Sequence, residues 1–241
     1  MTDKHGDVVE VLTLPLLDRD GLSRDHEDKL IQRYRNFRLN ALKNDPDVFA
    51  SSYAEENGQP VEYWRSRLAN PLAVNLVALP ARRGENWSEI ELLETEWSGM
   101  IVLLGPLAED TSASDSPWSK VPSVAFNQSS MEASATTGRL DPETVVYHIS
   151  GAYTTAPHRR KGVGKALLKT SLLEAGNDCR RRNGRYAKLG VHVDTCNAAA
   201  TQWYETHGFN IISEETYPPR PSELGPRLER KAFLMQAVLT V

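Results

Sequence analysis

The sequence predicts a mixed α/β fold. Short β-branched runs alternate with stretches whose apolar residues recur at helical spacing, and the chain is long enough to bury one sizeable core. Its 241 residues are 40% hydrophobic and 25% charged, ordinary globular proportions that support a single domain over 1–241. Residues 8–17, rich in Val and Leu, read as a first strand closed by turn residues. Ser23 can cap the helix that follows, in which Leu30, Ile31, Tyr34, Phe37, Leu39, Ala41 and Leu42 recur at helical spacing until Asn44, Asp45 and Pro46 stop the pattern. A short helix over 60–68 carries Tyr63, Trp64 and Leu68 on one side. Residues 75–79 and 97–107 read as two strands joined by a polar connection around 82–84.

From about 109 to 141 the chain is Ser, Thr, Ala, Asp and Pro with scattered Trp118, Val121, Val124 and Phe126, too poor in hydrophobics to build a core of its own. It reads as an inserted polar loop, either a mobile surface insertion or a lid. Beyond it, residues 145–154 are strand-like, and 162–182 form a helix with Val163, Leu167 and Leu168 on its apolar face. Asn183 and Gly184 turn the chain into a buried strand over 187–193. A short helix over 197–207 stops at Gly208, and strands over 209–213 and 232–238 flank a Pro-rich loop at 218–226.

With 28 Lys and Arg against 32 Asp and Glu, the net charge of −4 supplies no global basic field for nucleic acid or an anionic membrane, so any polyanion must be held locally. Two cysteines, Cys179 and Cys196, are too few for a disulfide framework, and a reducing, cytoplasmic setting is the simplest reading, with the nucleus also open. No run is long and apolar enough for a membrane span. The sequence is silent on oligomeric state.

The chemistry concentrates in the second half. Arg159, Arg160, Lys161, Gly162, Val163, Gly164 and Lys165 stand between a strand and a helix. There glycines let backbone approach an anion, and unpaired helix N-terminal amides point at it. By itself Arg-x-x-Gly-x-Gly is a weak pattern, and Asp194 at the end of the next strand keeps a dinucleotide-binding unit open. The deciding context is a second cluster running from Asn197 through Ala200, Tyr204, His207 and Gly208 to Phe209.

In this pairing the sequence resembles the GNAT (Gcn5-related N-acetyltransferase) superfamily, whose acyl-CoA signature is a strand, an Arg/Gln-x-x-Gly-x-Gly/Ala turn opening a helix, a second strand, and Asn-x-x-Ala-x-x-x-Tyr-x-x-x-Gly-Phe. The resemblance is specific over 152–209 and extends toward the branch that acetylates the N-terminal alanine of a ribosomal protein. It is looser around Arg38–Leu42, Asp45–Ala50 and Glu55–Glu56. It implies a twisted, mostly antiparallel mixed sheet flanked by helices, with the strands around 148–154 and 189–193 splayed. It also implies acetyl-CoA as co-substrate, an amine acceptor as partner, and direct transfer in a ternary complex. Carried over, the backbone of Ala152, Tyr153 and Thr154 would pair with the pantetheine arm, and the amides and basic groups from Arg159 to Lys165 would hold the pyrophosphate. Asn197 would contact the cofactor.

Amine acetylation needs a neutral amine, a donor for the developing oxyanion and a proton for the leaving thiolate. Tyr204 stands where the family places that proton donor, and its alternative is a core aromatic. His192 occupies the spacing at which the peptide-amine branch carries a glutamate base, and its alternative is a histidine satisfied within a strand. His148, one strand earlier, is a second candidate for the base. Two histidines without a third ligand do not make a metal site, so no metal is expected. Cys196 is a possible covalent nucleophile, a role that direct transfer does not require. A non-catalytic acyl-CoA sensor or scaffold with the same fold remains the alternative function.

Overall fold

A computed structural model of the protein describes residues 9–81, 87–107, 143–217 and 230–241. The polar insertion at 109–141, the Pro-rich loop at 218–226 and the connection at 82–84 lie outside the described residues. The strands are β1 (Val9–Thr13), β2 (Ala73–Pro80), β3 (Gly99–Leu107), β4 (Thr144–Thr154), β5 (Tyr186–Asp194), β6 (Asn210–Tyr217) and β7 (Arg230–Thr240). The helices are α1 (Arg24–Asn44), α2 (Tyr53–Asn57), α3 (Val61–Leu68), α4 (Glu89–Glu94), α5 (Val163–Arg181) and α6 (Ala198–Glu205). The strands order as β1-β2-β3-β4-β5-β7-β6 in one mixed sheet, the α/β class that the alternating patterns predict. Among the described residues, no helix is long and apolar enough to cross a membrane.

The chain divides into two compact units, Met1–Leu103 with Ser150–Glu174, and Leu104–Ile149 with Ala175–Val241, so that β3, β4 and α5 each pass from one unit to the other. In the first unit β1 and β2 are antiparallel. Ser23 caps α1 as expected, its hydroxyl accepting from the His26 amide at 3.3 Å. The buried face of α1 carries Leu30, Ile31, Tyr34, Leu39, Ala41 and Leu42, which pack with Trp64 and Leu68 of α3, Val77 and Leu79 of β2, and Trp97. Arg38 joins that face in place of Phe37, which is only partly buried. Its guanidinium is neutralised by Glu56, with Nε to Oε2 at 3.0 Å and Nη2 to Oε1 at 2.8 Å, and it lies 4.5 Å from the centre of the Phe49 ring. A buried fork of this kind is tolerated because both charges are paired and hydrogen-bonded.

In the second unit β4 and β5 run parallel from Thr144↔Tyr186 to Ile149↔Val191, and β5–β7 and β7–β6 are antiparallel. The β4–β5 pairing stops at Ile149↔Val191, although β4 continues to Thr154 and β5 to Asp194. Alternate residues of β5, Ala187, Leu189, Val191 and Val193, are buried, the period-2 pattern of a packed strand. The Asn183–Gly184 turn falls where predicted, with the Gly184 amide closing on the Cys179 carbonyl at 2.9 Å.

Candidate active site

In the first unit, β4 delivers the chain through a short 3-10 turn at Ala156–His158 into the basic loop and then α5. His158, at the end of that turn, is 2.8 Å from the Thr155 hydroxyl through its Nδ1. Arg160 and Gly162 both take left-handed backbone conformations, at φ 63° and φ 85°. The first helical bond of α5 runs from the Ala166 amide to the Gly162 carbonyl at 2.9 Å. The amides that precede it in the first turn have no intrahelical acceptor and carry the positive end of the helix dipole. Lys161, Gly162 and Lys165 are exposed, whereas Val163 is buried and anchors the turn from below. Gly99 on β3 permits that anchoring, since a Cβ there would come within 2.9 Å of Val163 Cγ1, Leu167 Cδ1 and the Tyr153 carbonyl oxygen.

The first residue of the cluster has a different use from the rest. Arg159 donates through Nη2 to Asp45 Oδ2 at 2.5 Å and through Nε to the Thr154 carbonyl at 3.1 Å. Tyr153 donates its hydroxyl to the same Asp45 oxygen at 2.6 Å, and its ring packs against Phe37 and Phe49. Burial pushes the Tyr153 phenol up, and the Asp45 anion adds to this, to about 12. For Asp45 burial acts upward, but the Arg159 and Tyr153 hydrogen bonds outweigh it and hold the carboxyl below its ordinary range. Tyr153, Asp45 and Arg159 are among the residues lining a cavity of about 970 Å³, to which α1 also contributes Gln32, Asn36 and Asn40. Ala152 is exposed while Tyr153 turns inward, as alternation along a strand demands.

In the second unit the two histidines come together. His148 on β4 is 6% exposed, and its ring centroid lies 5.1 Å from that of His192 on β5. His192 Nε2 is 3.0 Å from Glu215 Oε2 on β6. The Glu215 Oε1 atom in turn accepts from the Ser213 hydroxyl at 3.1 Å. Tyr204 on α6 is buried, its ring edge-on to Phe209 at 5.2 Å and to Trp203 at 4.8 Å. Burial alone raises its phenol well above the ordinary tyrosine value. Asn197 is the N-cap of α6, its side-chain oxygen accepting from the Ala200 amide at 3.1 Å. A helix start is therefore the use the structure makes of that oxygen. Asp194 pairs with Arg230, and Cys196 is an exposed free thiol whose amide donates to Asp194. Among the described residues, no group of three or more His, Cys, Asp or Glu could hold a metal ion.

Sequence reasoning missed Asp45 and Glu215 as members of these clusters. Asp45 read as a helix stop and as the start of a loop with a looser family resemblance. Glu215 lies 23 residues from His192, and only the register of β5, β7 and β6 brings the two together.

Residues 132–209 match the acetyltransferase (GNAT) family. No curated protein matches the chain. Among solved structures, Arabidopsis thaliana NAA60 in complex with acetyl-CoA is similar over 96% of this chain and 99% of its own, at 14% identity and a TM-score of 0.52. A GCN5-related N-acetyltransferase from Kribbella flavida is similar over 96% and 98%, at 14% identity and a TM-score of 0.47. The ribosomal-protein-S18-alanine N-acetyltransferase from Escherichia coli is similar over 97% and 96%, at 11% identity and a TM-score of 0.45. The likeness to the Arabidopsis protein shows a shared fold.

Proposed function

We propose that the chain, whose residues 132–209 match the acetyltransferase (GNAT) family, is an acyltransferase that transfers an acetyl group from acetyl-CoA to a primary amine, a small amine or a peptide N-terminus, in a direct ternary complex. The observation that carries this reading is the start of α5. Two residues with left-handed backbone, Arg160 and Gly162, lead a basic loop into a 19-residue helix whose first-turn amides lack intrahelical acceptors. That is a cradle for a pyrophosphate. Arg160, Lys161 and Lys165 add charge, and the exposed free thiol of Cys196 fits a reducing, cytoplasmic setting. The reading takes 1–241 as one acetyltransferase domain.

The roles follow from the chemistry of the step. His192 takes a proton from the acceptor ammonium, and the neutral nitrogen then attacks the thioester carbonyl. As the tetrahedral adduct collapses, the C–S bond breaks and the thiolate takes the phenolic proton of Tyr204. Tyr204 recovers a proton as the new amide nitrogen loses one, and His192 releases its own to water. A phenol carries its proton at neutral pH, which the acid role requires, and burial keeps Tyr204 in that form. In this reading Arg159 acts on the cofactor through the loop it braces, since its guanidinium is already committed to Asp45.

Thermal unfolding with and without acetyl-CoA, CoA and NAD tests the cofactor, because a ligand that binds only the native state raises the midpoint. Thiol release with a panel of amines and peptides tests turnover. A rise with acetyl-CoA together with amine-dependent thiol release is expected. A rise without release under any acceptor would favour an acyl-CoA sensor, and a rise with NAD alone would refute the reading.

A further inference from the structure

We infer that the cavity beside α1 is a docking site for an extended polypeptide segment, held through its backbone amides on a row of side-chain carboxamides. Gln32, Asn36, Asn40 and Asn44 stand at successive i, i+4 positions of α1, and all four are exposed and line the cavity. The helix fixes their interval: four residues rise about 6 Å along the axis, and about 6.7 Å along the inclined row that links i to i+4. An extended chain turns the N–H and C=O of every second residue to the same edge, at a repeat of about 6.7 Å. The two periods coincide. Each carboxamide can therefore donate to one backbone carbonyl and accept from one backbone N–H, along a segment of about eight residues.

The row has a cost that packing does not explain. Asn is a weak helix former, and at exposed positions packing does not choose the residue. Gln32 and Asn36 are already aligned, with Nε2 donating to Oδ1 at 2.8 Å. The rest of the lining selects a neutral ligand. Lys29, Arg33 and Arg159 are matched in number by Asp45, Glu94 and Glu96, and His26 is held by Glu89 at 3.1 Å. A polyamine or a polyphosphate would meet as many like charges as opposite ones, whereas peptide groups carry none. Phe37 contacts the rings of Trp97 and Tyr153, at 5.8 and 6.1 Å, and the three give apolar side chains of the segment a surface. The volume of about 970 Å³ lies at the top of the range for small-ligand pockets, as a stretch of chain requires.

The test uses the full chain and an N-acetylated, C-amidated octapeptide of alternating Thr and Ala, which carries no charge and no acceptor amine. On titration the side-chain amide signals of Asn36, Asn40 and Asn44 in 1H–15N spectra should shift and saturate. Ala is the better helix former, so a protein carrying Asn36→Ala, Asn40→Ala and Asn44→Ala should unfold at a midpoint no lower than the wild type. Its affinity for the octapeptide, measured by calorimetry, should be at least about tenfold weaker. The same octapeptide N-methylated at every backbone amide keeps the side chains, loses the donors and should not bind. Asn signals that stay in place at millimolar octapeptide overturn the proposal. Equal binding by the triple variant, or of the N-methylated peptide, also overturns it by moving the contact off the carboxamides. Larger shifts of the same signals with spermidine or inorganic pyrophosphate than with the octapeptide would make the cavity a site for charged ligands and overturn it too. Thiol release enters none of these readings, so failure here is distinct from failure of the acetyltransferase reading.

Discussion

Asp45, the first residue past α1, holds Arg159 of the basic loop through a 2.5 Å hydrogen bond, and the same oxygen accepts from Tyr153. A residue that reads in sequence as a helix stop thus braces the segment assigned to the cofactor's phosphates. The pair is partly solvated, with Arg159 44% and Asp45 22% exposed, so it adds little to global stability. Its effect should fall on the loop. Asp45→Asn is expected to raise KM for acetyl-CoA several-fold while leaving the unfolding midpoint nearly unchanged, measured by steady-state kinetics beside a thermal melt. A lowered KM would mean instead that Asp45 withholds Arg159 from the cofactor.

Two glycines near this loop should respond to alanine in opposite ways. At Gly162 an added methyl group would meet no atom within 4 Å, and φ is +85°, so Gly162→Ala carries only the cost of a left-handed backbone, about 1–2 kcal/mol. The chain can relieve that cost by reshaping the exposed loop, and acetyl-CoA affinity should fall more than stability. At Gly99 the added atom would lie 2.9 Å from the Tyr153 carbonyl oxygen and two aliphatic carbons. Gly99→Ala should therefore destabilise the fold by about 1–3 kcal/mol through overpacking. Denaturant melts and cofactor titrations of the two variants separate the effects.

Periodicity found the strands and the long helices because their burial patterns are strong: α1 and β5 bury nearly the residues that their spacing marks. It missed α2 and α4, which have five and six residues and too few turns to show a period. Both open with a capping box, Ser52 with Glu55 and Ser88 with Glu91, a Ser-x-x-Glu signal that was legible at short range. The candidate site divides in the same way. Its local parts, the turn into α5 and the cap at Asn197, follow from neighbouring residues. The Asp45–Arg159 and His192–Glu215 contacts arise from tertiary packing and strand register, which a single sequence does not display.

The buried Arg38–Glu56 fork should dominate acid sensitivity in the first unit. Burial pushes the Glu56 carboxyl upward, but the Arg38 hydrogen bond and charge, with Arg67 and Ser51, more than reverse this and hold it below its ordinary value. A carboxylate with a depressed folded pKa contributes stability that is present above its unfolded value, about 4.3, and is lost as pH falls through the folded value. Glu56→Gln leaves Arg38 buried without its anion and should cost about 3 kcal/mol at neutral pH. The deficit should shrink as the wild type is acidified below about pH 4. Denaturant unfolding of both proteins across that range checks the magnitude and the sign. A pH-independent difference would remove the ion pair as its cause.

Tyr204 gives the sharpest pH prediction. Burial raises its phenol, so the protonated form persists well above the ordinary tyrosine range. If it supplies the proton to the departing thiolate, kcat should show no falling limb from Tyr204 up to about pH 10, the ordinary phenol value. Tyr204→Phe removes the proton while keeping the ring that packs on Phe209 and Trp203, so stability should change little. Its kcat should drop by about a hundredfold or more at every pH, with acetyl-CoA affinity preserved. A falling limb near pH 9 in the wild type that disappears in Tyr204→Phe would show a phenol ionising in the working range, against the burial seen at this position. An undiminished kcat in the variant would assign the leaving thiolate's proton to water.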